Sequence, residues 1–161
     1  MIDHHYDLRT TWTGARDVGT VDYRSYGRDH VLSVAGKSDI AGSADRPFRG
    51  DADRWNPEEL LLGALSQCHL LSYLHVCATG GVVVTAYVDD AVGTMVQTND
   101  GGGHFTEVTL RPRVTVADAS MVQAAEELHH KASQQCFIAS SVNFPVKHEP
   151  TIVAASTQLS A

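Results

Sequence analysis

The sequence has no uninterrupted apolar run long enough to cross a membrane. A span needs about 18–20 such residues, and the greasiest segment, Leu60 to Ala78, is broken by Ser66, Gln67, His69 and His75. Clustered positive charge is also lacking: the net charge is −7 and no group of lysines and arginines stands together. Nucleic acid and anionic membrane surfaces both need concentrated positive charge, so neither is expected as a partner. The first nine residues hold Asp3, His4, His5 and Asp7 and no apolar run after a basic start. No secretory signal is read there, and a cytoplasmic location is expected. Cysteine is scarce. Three residues, Cys68, Cys77 and Cys136, are too few and odd in number for a disulfide framework, and none has the C-x-x-C spacing of structural zinc. What remains to ask of them is reactivity.

What is present describes one mixed domain over residues 1–161, with 43% apolar content, enough for one core. Alternating apolar and polar residues over 5–36, as in Asp22–Tyr26 and His30–Val34, predict two or three antiparallel strands punctuated by glycine. A long loop follows over 37–55, a length that is unusual unless the loop lines a site. Asn56-Pro57-Glu58-Glu59 is a helix start, with Asn56 as N-cap, Pro57 at the first helical position and Glu59 placed for a capping box. The helix is expected over 56–79, stopping at Gly80-Gly81. Its leucines cover most of the circumference, which predicts burial on nearly every side.

Two β-branched runs over 82–116 are expected to form a hairpin around Thr98–Gly103. A second helix over 118–135, capped by Asp118 or Ser120, carries Met121, Ala125, Leu128 and Ala132 on a stripe that points toward Cys136. A final strand over 143–153, interrupted by Pro145 and Pro150, reads as an edge. The tail from Ala154 is expected to fray. Strands, helix, hairpin, helix, strand make an α+β fold.

Residues nine apart on a helix lie about 180° around the axis and about 13 Å along it, so Cys68 and Cys77 cannot pair. That leaves Cys136 as the intramolecular partner open to Cys68. Cys77, between Val76 and Ala78, reads as packing. Cys68 stands between Gln67 and His69 in an otherwise greasy helix, a setting that calls for more than packing.

Asn56-Pro57-Glu58-Glu59-Leu60-Leu61, with Cys68 ten residues after Glu58 and a second cysteine before a final strand, resembles the OsmC/Ohr hydroperoxide reductases. The likeness runs from Trp12-Thr13-Gly14 through Gly80-Gly81-Val82 to Cys136–Val146. It implies an OsmC-like α+β fold, with antiparallel sheets around a long central buried helix, in an intertwined homodimer. It also implies that Cys68 is the peroxidatic thiol, Cys136 the resolving thiol, and Glu58 a carboxylate that orients an arginine beside the thiolate. No cofactor and no metal are implied. The partners implied are an organic hydroperoxide, reduced in oxidative stress defence, and a dithiol reductant, either a lipoylated protein or a small thiol. Two positions depart from the family pattern: Gln67 stands where a small residue is usual and Phe137 where proline is usual.

The arginine has five candidates. Arg49 best keeps the spacing of the OsmC branch; Arg46 and Arg54 share its loop, and Arg24 and Arg28 match the earlier placement of the Ohr branch. A thiol with a pKa near 8.5 is only a few per cent thiolate at neutral pH, and burial lowers that fraction, so a cation must offset it. Glu58 and Cys68 are about 15 Å apart along one helix, a separation that a composite site between two subunits would bridge. Leu61, Leu65, Leu71, Tyr73 and Phe137 are the candidates for an apolar approach for the peroxide. Two rival readings stand beside this one. One is a metal site built from Cys68, His69, His75 or His129-His130, although adjacent histidines on a helix point about 100° apart. The other is a non-catalytic OsmC-like stress or ligand-binding dimer.

Overall fold

The computed structural model describes residues 2–155; the tail beyond Ala155 lies outside them. The chain is an α+β fold that divides into two compact units, Met1–Leu61 and Leu62–Ala161, with the boundary inside a long helix.

In the first unit, β1 (Arg9–Trp12), β2 (His30–Ser33) and β3 (Ile40–Gly42) form an antiparallel sheet in the order β1-β2-β3. The alternating stretch Asp22–Tyr26 is not a strand, contrary to the sequence expectation. It belongs to a run of turns in which the Asp22 carboxylate accepts from the Arg24 N–H at 2.7 Å and the Ser25 hydroxyl donates to the Gly19 carbonyl at 2.8 Å. Such side-chain-to-backbone bonds compete with strand pairing. The predicted loop over 37–55 contains β3 and a 3-10 turn over Arg46–Phe48, and Trp55 bridges back to Gly42.

The helix α1 (Pro57–Thr79) starts and stops as its sequence dictates. The Glu59 N–H donates to the Asn56 side chain at 2.8 Å and the Asn56 N–H to the Glu59 carboxylate at 3.3 Å, a closed capping box. At the other end Gly81 takes a φ of 76° and the Val82 N–H reaches the Cys77 carbonyl at 2.9 Å, the six-to-one bond of a Schellman motif.

In the second unit the two long β-branched runs each break once. The result is β4 (Val84–Asp89), β5 (Val92–Gln97), β6 (Gly103–Leu110) and β7 (Pro112–Val116) rather than one hairpin of two strands. After α2 (Val122–Gln134), the last stretch also divides, at Glu149-Pro150, into β8 (Val146–His148) and β9 (Thr151–Ala154). One sheet has the order β4-β7-β9 and the other β5-β6-β8. The β4/β7 and β5/β6 pairs are antiparallel. The β7/β9 and β6/β8 pairs are parallel, because the chain returns to them through α2. The breaks have a polar anchor: the Asp89 carboxylate accepts from the Arg111 N–H at 2.7 Å and from the Ser66 hydroxyl of α1 at 2.5 Å.

One face of α1, with Leu65, His69, Tyr73, Val76 and Cys77, is buried, and Tyr73, Val76 and Cys77 join Val82, Val114, Val116, Ala125 and Ala132 in the core. Leu71 is 65% exposed and Leu74 38%, so within one chain the helix is covered on one side and not on nearly every side. By length and composition alone this helix would also suit a membrane span. Its polar residues Ser66 and His69 are bonded within the fold.

Candidate active site

Two clusters of candidate side chains stand out, one in each unit. In the second unit Cys68, half-buried on α1, and Cys136, fully buried just past the end of α2, adjoin each other as free thiols. The placement follows from local structure. The α2 stripe of Ala125, His129 and Ala132 packs inward, the Ser72 hydroxyl of α1 donates to the Gln135 carbonyl at 3.4 Å, and the chain after Cys136 turns into a 3-10 segment over Ala139–Ser141. The Ala139 N–H donates to the Cys136 sulfur at 3.4 Å. Burial, and then the neighbouring Cys68 thiol, push the Cys136 thiol up to about 11. It is therefore held as the neutral thiol at neutral pH.

Cys77 is a core residue beside the Tyr73 hydroxyl, and burial raises its pKa. Of the residues considered as an apolar approach, Leu65 and Tyr73 are wholly buried core. Leu71 and Phe137, 65% and 78% exposed, remain available in this unit. Leu61 is half-buried at the end of the first unit.

The same unit holds a group of histidines, of which sequence analysis considered His69 and His129 only as candidate metal ligands and did not consider His148. His69 Nε2 and His129 Nδ1 are 3.0 Å apart and hydrogen-bonded. The His129 ring stacks on Tyr73 at 3.8 Å, and the His148 ring lies 4.3 Å from that of His69. The remaining ring nitrogens, His69 Nδ1 and His129 Nε2, are buried without a partner. Burial, reinforced by the neighbouring histidines, lowers His69 to about 3 and His129 to about 4, and burial also lowers His148. All three are neutral imidazoles near pH 7. Among the described residues, no three His, Cys, Asp or Glu side chains converge as a metal site would require. His75 and His130 are exposed.

The first unit holds the second cluster, a cavity of about 190 Å³ lined by Arg28, His30, Ser43, Ala44, Asp45, Phe48, Pro57 and Glu58. One carboxylate oxygen of Glu58, Oε2, is buried there without a partner. Of the five candidate arginines, Arg28 alone lines this cavity. Arg49 is exposed and ends the 3-10 turn with a left-handed φ of 65°. Arg46 is exposed at the start of that turn and Arg24 is exposed in the preceding turns. Arg54 faces Asp29 at 3.7 Å and Asp51 at 3.9 Å.

An α+β fold with a free cysteine pair, one thiol on the long helix and one after the second, defines a class of small cysteine-bearing proteins. Comparison with known proteins narrows it. Residues 50–151 match the family model described as OsmC-like protein, and the chain belongs to that family. An OsmC-like protein of unknown function from Vibrio cholerae is similar at 32% identity and a TM-score of 0.81, covering 92% of this chain and all of that one. The uncharacterized protein YmaD of Bacillus subtilis is 29% identical over 146 residues, 88% of this chain and 89% of its own. In fold, the chain is also similar to an organic hydroperoxide resistance protein from Elizabethkingia anophelis, at 18% identity and a TM-score of 0.67, covering 96% of this chain and all of that one.

Proposed function

We propose that the chain is a cytoplasmic thiol peroxidase that reduces organic hydroperoxides to alcohols in oxidative stress defence. The observation that carries this reading is the adjoining pair of free thiols, one half-exposed and one buried and neutral. In the first step the Cys68 thiolate attacks the outer peroxide oxygen. The O–O bond breaks, the alkoxide takes a proton and leaves as the alcohol, and Cys68 becomes a sulfenic acid. The Cys136 thiol then attacks that sulfur, a disulfide forms and water leaves. An external dithiol, a lipoylated protein or a small thiol, reduces the disulfide by exchange and is itself oxidised. No metal or cofactor enters the cycle.

Arg28 is the arginine this geometry favours over Arg49. It shares a cavity with Glu58, whose buried Oε2 is suited to accept from a guanidinium and fix its fork. We assign Arg28 to stabilise the thiolate and the peroxide oxygens, and Glu58 to orient it. The assembly proposed is a homodimer with two composite sites. It is supported by the apolar side chains of the second unit left exposed in one chain, Leu71, Leu74, Val88, Val92 and Phe137. Leu71 and Phe137 also favour an organic over an inorganic peroxide.

The test is consumption of cumene or tert-butyl hydroperoxide with a dithiol present, for the parent protein and for Cys68→Ser. The substitution is expected to abolish consumption. An undiminished rate in Cys68→Ser would overturn the reading.

A further inference from the structure

Arg28 is held in a way that the family likeness does not account for. Its two terminal nitrogens donate to backbone carbonyls, Nη1 to Tyr26 at 2.6 Å and Nη2 to Tyr23 at 2.8 Å. The same two residues place their rings on the guanidinium, whose carbon lies 4.1 Å from the Tyr26 centroid and 4.4 Å from the Tyr23 centroid. The rings stand edge to face, 6.4 Å apart at 88°. Tyr26 is fixed in turn by the edge of Trp12 at 5.9 Å, and Trp12 Nε1 donates to the Gly27 carbonyl at 2.9 Å. Gly27 also donates to the Gly14 carbonyl at 2.8 Å, and the backbones approach so closely that a Cβ on Gly14 would sit 2.1 Å from the Gly27 oxygen.

The contrast with Arg54 gives this arrangement its meaning. Arg54 is met by two carboxylates, which spend its charge locally. Among the described residues no ion pair engages Arg28. The tyrosine faces stabilise a cation through their quadrupoles and the carbonyls take two of its five N–H groups. Among the described residues its three other N–H groups make no hydrogen bond and no carboxylate pairs with its charge, and Arg28 lines a cavity together with Glu58.

We propose that Tyr23 and Tyr26 are positioning residues that hold Arg28 by cation–π contact, so that its free N–H groups and charge serve the thiolate and peroxide. This rests on the reading that Arg28 is the arginine of a Cys68 peroxidase. Neither phenolic hydroxyl is required; the ring face is.

The test measures the hydroperoxide rate constant and the pH profile of Cys68 alkylation in Arg28→Gln, in the Leu and Phe variants of Tyr23 and Tyr26, and with pentafluorophenylalanine at position 26. The Phe variants are expected to stay within about twofold of the parent, and the Leu variants to lose roughly 2- to 30-fold in rate, the range of a cation–π contact. Their alkylation profile is expected to move to higher pH. The fluorinated ring keeps the shape and reverses the quadrupole, so it should behave as Leu does with an unchanged melting temperature, and it decides the matter if the Leu proteins do not fold. Full activity and an unmoved profile with the fluorinated ring, while Arg28→Gln is impaired, would overturn the clamp and leave the peroxidase reading standing. An Arg28→Gln protein that matches the parent in both measurements would overturn the assignment of Arg28 and the clamp with it.

Discussion

At the scale of single residues, the three cysteines are separated by their surroundings. A thiol pushed to about 11 is roughly one part in a thousand thiolate at pH 8, so Cys136 should resist alkylation there. Cys77, buried and raised, should resist too. Iodoacetamide at pH 8 on the folded, reduced protein is expected to label Cys68 alone, read by peptide mass spectrometry; equal labelling of Cys136 would contradict its placement. Functionally, Cys136→Ser should stop the proposed cycle after one peroxide per chain and leave a sulfenic acid at Cys68 that dimedone traps. Sustained dithiol-driven turnover in that variant would show that an external thiol resolves Cys68 directly. The cysteine pair was legible in the sequence because helix geometry excludes Cys77. Which of the candidate arginines lines the cavity with Glu58 was not. Spacing along a loop does not say which of five guanidinium groups turns into a cavity, and the run of turns carrying Tyr23 and Tyr26 reads, by alternation alone, as a strand.

At the scale of elements, local rules held where the controlling contacts are local. The capping box and the Gly80-Gly81 stop of α1 are written within a few residues of each end. Asn56→Ala removes the side chain that receives the Glu59 N–H and should lower stability by about 1 kcal/mol. Gly81→Ala forces a β-carbon into left-handed backbone and should cost about 1–2 kcal/mol. Both are measurable by denaturant unfolding, and a Gly81→Ala protein as stable as the parent would contradict the Schellman end. The breaks inside the long β-branched runs could not be read the same way. They depend on Asp89 meeting both Arg111, 22 residues on, and Ser66 of α1, 23 residues back. The exposed flank of α1 escaped reading for a related reason: a helix apolar all round has no direction, and the sequence does not say which side the chain itself covers.

At the scale of the whole molecule, the uncovered apolar side chains and the buried histidines make separate demands. If a second copy covers Leu71 and Leu74, sedimentation equilibrium should give twice the chain mass, and Leu71→Glu should shift the protein toward monomer. The histidines bear on pH. His69 and His129 hydrogen-bond each other and His148 lies against His69; of the charged groups, Asp89 acts on His148 and favours its protonation. Tyr73 and Tyr87, both raised by burial, stay neutral. With His69 and His129 lowered to about 3 and about 4, the folded state holds them neutral while the unfolded chain protonates them from about pH 6.5 downward. The unfolded state therefore binds more protons below that pH, and stability must fall as pH falls. The loss should begin near pH 6.5 and reach about 2 kcal/mol per histidine by pH 5. Because both stay neutral in the fold over this range, the two contributions add there, and their mutual repulsion couples them only as the pH nears the folded-state values. Thermal unfolding across pH 4–8 should show a plateau above pH 7 and a decline below 6.5. In His129→Phe, which can keep the stack on Tyr73 without a titrating group, the decline should be shallower. A decline equally steep in that variant would place the acid sensitivity elsewhere.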